Sequence, residues 1–183
     1  MRFSTVAAAL VPLAISCDGG LQPQVSSTSC PVGICGVVHF RGAVPESTDY
    51  VRVVVYDSVP HTLDGLIAFA GFSDPLPLGP DSAAYTCCIT ALRPGTYGWV
   101  LVVWKKLGLL TVNTAPALLE AAGSYLDPAD TTKFGAVVVQ ASDGTRGIDI
   151  VADFGRMQGI GAFVPAGARG PRGTRGARGA RGR

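Results

Sequence analysis

Apolar and polar residues alternate along much of the chain between residues 34 and 155. In GVVHFRG, Val38 and Phe40 fall on one side of an extended chain, with His39 and Arg41 on the other. In YVRVVVYD, Val51, Val53 and Val55 share a face opposite Arg52 and Tyr56. In AYTCCITA, Tyr85, Cys87 and Ile89 alternate with Thr86, Cys88 and Thr90. Successive side chains of a strand point to opposite faces, so each run predicts a half-buried strand. YGWVLVVWKK is apolar on both faces, as expected of a central strand covered on one side by the core and partly on the other. GAVVVQA and RGIDIVADF follow; in the second, Ile148, Ile150, Ala152 and Phe154 point inward, and Asp149 and Asp153 outward. Val53, Val55, Ile89, Leu101, Ile148 and Ile150 are the expected core on this pattern.

The connections are those of a β protein. Arg93-Pro94-Gly95-Thr96 fits a type II turn joining two antiparallel strands. Ser142-Asp143-Gly144-Thr145 sets Asp-Gly between two alternating runs, a strong hairpin signal. One short helix is predicted through APALLEAA, capped by Thr114 and closed by Gly123. Residues 58–82 hold GLIAFAGF, a candidate strand, then the loop DPLPLGP. Gly 24 and Pro 13 occupy about one residue in five, a density that suits turns and not helix bundles. The expected fold is an all-β, Greek-key β-sandwich of about seven strands with one short helix, over residues 34–155.

The two ends differ from this body. Met1 and Arg2 precede FSTVAAALVPLAIS, an apolar run of secretory length, too short to span a bilayer as a helix. It ends in AISC, with Ser16 before Cys17, and this resembles the lipobox of bacterial lipoproteins. The resemblance implies a signal peptide over 1–16, cleavage before Cys17 and lipid on its thiol; Ala14 stands where such sites favour Leu. Asp18 is of the residue type that retains enteric lipoproteins at the inner membrane. Residues 17–33, rich in Gly, Ser, Pro and Gln, read as the lipidated cysteine and a flexible tether. Residues 156–183 read as a disordered tail. Within it, glycine recurs every third residue from 167, with Arg169, Arg172, Arg175, Arg178 and Arg181 in phase and Arg183 last. The tail resembles collagen, but only Pro171 supports that geometry. Charge is split accordingly: residues 18–166 hold eight basic and thirteen acidic residues, and 167–183 hold six arginines and no acid. A basic nucleic-acid-binding body is excluded.

The stretch AYTCCITALRPGTYGWVLVVW is similar to the alternating strand, Pro-Gly-x-Tyr, strand pattern of carboxypeptidase regulatory-like and transthyretin-like domains. FGAVVVQASDGTRGIDIVADF resembles the last hairpin of related bacterial lipoproteins. The resemblance covers 34–155 and implies an accessory, adhesive or scaffold module. Pro94, Gly95 and Tyr97 carry it as structural positions, and it transfers no ligand residue. Where some relatives have an acidic calcium loop, this chain reads KKLGLLTVN, so no calcium is expected there.

Beyond Cys17, an exported chain with Cys30, Cys35, Cys87 and Cys88 is expected to form a disulfide. Cys35–Cys88 is sensible if their strands are neighbours, and Cys30–Cys35 is the local alternative. Adjacent strand cysteines fit a zinc site poorly, and no metal or cofactor is expected. His61 and Asp64 are the only near catalytic pair, and turn polarity is the expected reading. Asp149 and Asp153 lie roughly 13 Å apart on a strand, too far for paired glycosidase acids. Trp99 is expected to point inward with Tyr97, which leaves Trp104 on the other face. With Tyr125, Asp127 and Asp130, Trp104 is then a candidate binding surface.

Three functions follow as expectations. The first is a non-enzymatic, lipid-anchored binding or scaffold module of the bacterial cell envelope. It would meet the membrane through its anchor, anionic headgroups or envelope polymers through its tail, and a protein or carbohydrate ligand through its domain. The second is an envelope hydrolase, or an accessory domain of one, using His61 and loop acids. The third is a structural protein assembling through the Gly-x-Arg tail. Nucleic acid is not an expected partner.

Overall fold

The computed structural model describes residue 30, residues 33–87 and residues 92–165. The chain forms β1 (Ile34–Arg41), β2 (Thr48–Tyr56), β3 (Gly71–Phe72), β4 (Ser82–Cys87), β5 (Gly95–Tyr97), β6 (Trp99–Lys106), α1 (Ala115–Leu118), β7 (Leu119–Ser124), β8 (Leu126–Asp127), β9 (Asp130–Phe134), β10 (Val137–Val139), β11 (Ile150–Asp153) and β12 (Gln158–Gly159). The expected all-β sandwich is present. Of the strands that no expected run covers, β5, β8 and β12 have two or three residues, β9 has five and β7 has six.

One sheet has the order β11-β1-β4 and the other β12-β7-β6-β2-β3, with β5–β10 and β8–β9 as separate ribbons. The alternation works as read. Val38, Tyr85, Cys87, Ile150 and Ala152 of the smaller sheet meet Val51, Val53, Val55, Val100, Val102 and Trp104 of the larger one in the main core. Ile148 and Phe154 join them, while Asp149 stays exposed.

The larger sheet has a second packed face. Val54, Tyr56, Trp99, Leu101, Val103, Leu119 and Ala121 form another cluster with Leu66, Ala115, Ile160 and Val164. Leu66 lies in a 3₁₀ turn at Asp64–Ile67, and Ile160 in a second one at Ile160–Phe163. The molecule is therefore a sandwich with a third layer of short turns and α1. This layer explains why β6 is apolar on both sides.

Several local expectations are corrected by tertiary pairing. GLIAFAGF is a 3₁₀ turn followed by the two-residue β3. APALLEAA gives one helical turn and then a strand, because Leu119–Ser124 pairs antiparallel with β6. Thr114 makes no side-chain cap, and Gly123 sits inside β7. There an added Cβ would fall 2.0 Å from the Val151 carbonyl oxygen, so only glycine lets β7 and β11 approach. Among the described residues, Pro94-Gly95 joins no antiparallel neighbours: β4 lies in the smaller sheet and β6 in the larger. The Tyr97 hydroxyl donates to the Arg93 carbonyl at 2.8 Å and pins this crossing. Asp143-Gly144 is not a hairpin either. β10 pairs with β5, whereas β11 runs parallel to β1.

Both domain boundaries move outward. Cys30 is bonded to Cys35, which ties the end of the expected tether into the fold. Beyond Phe154, Gln158 and Gly159 pair with β7, and Ile160 and Val164 are buried. Residues 156–165 thus belong to the fold and not to a disordered tail.

Candidate functional site

The predicted surface does not assemble. Trp104 is only 4% exposed and belongs to the main core, where its indole N–H donates to Thr48 Oγ1 at 2.7 Å. The expected phase failed at Gly98, which bends out of strand pairing as its amide donates to Asp57. Alternation does not carry through a bend, so Tyr97 enters the main core while Trp99 enters the outer cluster. Trp104 then follows Val100 and Val102 inward, and it is not a binding platform.

Tyr125 is half-buried near the far end of β6, where its amide donates to the Val100 carbonyl. Four residues of strand, roughly 13 Å, separate that point from Trp104. Asp127 and Asp130 turn the β8–β9 ribbon. Asp127 Oδ1 accepts the Ala129 amide at 2.8 Å, and Asp130 Oδ1 accepts the Thr132 amide and hydroxyl. The Lys133 ammonium at 2.7 Å, with the Thr132 hydroxyl and amide, holds the Asp130 carboxyl below its usual range. Both carboxylates are occupied as turn residues.

His61 and Asp64 are exposed, and no hydrogen bond or ion pair joins them. Asp149 accepts the Val37 amide at 2.8 Å, and Asp153 accepts the Gly155 amide at 2.9 Å. Among the described residues, no group of three or more His, Cys, Asp or Glu could hold a metal ion.

The disulfide is Cys30–Cys35, with Cα atoms 6.1 Å apart. The pairing Cys35–Cys88 is therefore not formed. In the β1–β4 register Thr86 lies opposite Cys35, two residues short of the position that bond required. Cys87 is buried in the main core. Cys17, Cys88, Ile89 and the arginines 169–183 lie outside the described residues, as do the signal segment and most of the tether.

The feature that alternation alone missed lies on the outer face of β2. Tyr50, Arg52, Val54 and Tyr56 line a partly open pocket of about 70 Å³ with Leu66, Phe69, Phe72, Val103, Leu110 and Leu119. The Arg52 guanidinium sits 4.8 Å from the Tyr50 ring centre and 4.9 Å from that of Phe72. Its Nε is buried and meets no acceptor. Next to it, Lys105 is 4% exposed and pairs with Asp49, while donating to the Lys106 and Gly108 carbonyls. The signal was present in the sequence: a face carrying Tyr50, Val54 and Tyr56 around one arginine is too apolar for open solvent.

Comparison with protein-family models, curated proteins and solved structures finds no match to this chain.

Proposed function

We propose that the protein is a lipid-anchored binding or scaffold module of the bacterial cell envelope, and that it performs no catalysis. The observation that carries this reading is Ser16-Cys17 at the end of a short apolar run behind a cationic start. Acyl chains stabilise membrane binding by about 0.8 kcal/mol per buried methylene, so two or more hold a domain firmly. No helix among the described residues is long and apolar enough to cross a membrane. The Pro94-Gly95-x-Tyr97 resemblance to carboxypeptidase regulatory-like and transthyretin-like domains supports a non-catalytic module. So does the use of Asp127, Asp130, Asp149 and Asp153 as backbone acceptors.

The arginines from 169 to 183 add a second contact with anionic headgroups or envelope polymers. Juxtamembrane basic residues contribute roughly 1 kcal/mol each at an anionic surface. The anchor is tested by metabolic palmitate labelling of the protein and of Cys17→Ser. Label on the protein that disappears in the variant is expected. A Cys17→Ser protein that labels equally would sink the reading.

A further inference from the structure

We infer that the pocket on the outer face of β2 binds a small monocarboxylate carried on an apolar body, with Arg52 as the group that recognises the carboxylate. This gives the binding-module reading a site and a ligand class, and it rests on that reading.

The pocket encloses about 70 Å³ and is partly open, so it takes a small group with part of the ligand left in solvent, and its walls are aromatic and aliphatic. Arg52 is its single charged lining residue. Tyr50 and Phe72 flank its guanidinium, so the side chain is set in place before any ligand arrives. No carboxylate neutralises it among the described residues, although the neighbouring cation Lys105 has Asp49. The buried Nε–H without an acceptor is the decisive detail. Such a donor carries a desolvation cost until an acceptor reaches it.

A carboxylate fits this donor. Arginine presents parallel N–H groups that match two carboxylate oxygens, and a charge-assisted fork of this kind gains strength in apolar surroundings. The apolar body of the ligand would lie against Val54, Leu66, Phe69 and Leu119. A neutral alcohol of the same length would gain the apolar contact without the fork. An amine would place its charge against Arg52.

The test titrates the full chain with octanoate, phenylacetate, octan-1-ol and octylamine, reading the arginine Nε–Hε NMR signals. The Arg52 signal is assigned by its loss in Arg52→Gln. Saturable movement of that signal is expected with one or both carboxylates, at an affinity at least tenfold above octan-1-ol. Octylamine should not move it. The carboxylate that binds more tightly tells an aliphatic from an aryl body. Arg52→Gln should lower carboxylate affinity at least tenfold, to the level of the alcohol.

Equal affinity for carboxylate and alcohol would overturn the inference, as would no saturable shift at Arg52. A folded Arg52→Gln protein that keeps carboxylate binding would overturn it too. If Arg52→Gln does not fold, Arg52→Lys supplies the assignment, and the comparison of ligands on the unsubstituted chain decides the matter. Failure here leaves Cys17 labelling unaffected, and failure of that labelling leaves this titration unaffected.

Discussion

Polar groups on the packed faces of the larger sheet are tolerated because most find partners. Ser73 is buried, yet its Oγ accepts the Val53 amide at 3.0 Å and donates to the Asp74 carbonyl at 2.7 Å. Tyr56 lies in the outer cluster and donates its hydroxyl to the Leu66 carbonyl at 2.7 Å, which fastens the 3₁₀ turn over β2. Burial pushes its phenol well above the ordinary value of 10.0, since a phenolate would form away from water. The unfolded chain releases this proton near pH 10 while the folded chain keeps it. Above pH 10 the native state therefore binds more protons, and stability falls as pH rises. Urea unfolding from pH 7 to 11 should show that decline. Tyr56→Phe should cost about 1 kcal/mol at pH 7 through the lost hydrogen bond and show a shallower alkaline slope. Identical slopes in the two proteins would contradict the assignment.

At the level of elements, the two sheets approach closely between β7 and β11. An alanine at Gly123 would set its Cβ 2.0 Å from the Val151 carbonyl oxygen, and backbone cannot swing aside as a side chain does. Gly123→Ala should cost roughly 1–3 kcal/mol, the usual range for overpacking. Urea unfolding checks this, and a change below ~0.5 kcal/mol would mean that the sheets are not so closely packed there. The same glycine shows where sequence reading stops. The faces of Val51, Val53 and Val55, and of Ile148, Ile150 and Ala152, were legible because each run keeps its period within one strand. Partners were not legible. The helical pattern that starts at Ala115 gave way to β7 from Leu119 because β6 offered a ladder, and Asp143-Gly144 became a crossing because β1 accepted β11 in parallel. Of the candidate site, Trp104 was lost to a phase break at Gly98, while the apolar setting of Arg52 was readable on the supposed solvent face of β2.

For the whole molecule, the third layer decides where the domain ends. Trp99 is fully buried in the outer cluster, with its ring centre 5.2 Å from that of Tyr56 and 5.0 Å from that of Phe163. Ile160 and Val164 close the same surface, and Gln158–Gly159 adds an edge strand beside β7. Ile160, Phe163, Val164 and Gln158–Gly159 all lie beyond the alternating region that ends at 155. Fully burying an isoleucine or valine contributes about 1.5–3 kcal/mol, so Ile160 and Val164 together supply roughly 3–6 kcal/mol before Phe163 is considered. Domains have only about 5–15 kcal/mol in total. A chain ending at Gly155 should therefore have lost a large part of its stability, with its Trp99 fluorescence shifted to the red as water reaches the indole. A chain ending at Ala166, which removes every arginine of the tail, should unfold at nearly the urea midpoint of the full chain. The contrast separates packing from charge. If the arginines stabilised the fold by lying along the acidic body, the longer truncation product would already be weakened, and more so at low salt. If Ile160 and Val164 were peripheral, the chain ending at Gly155 would match the other two.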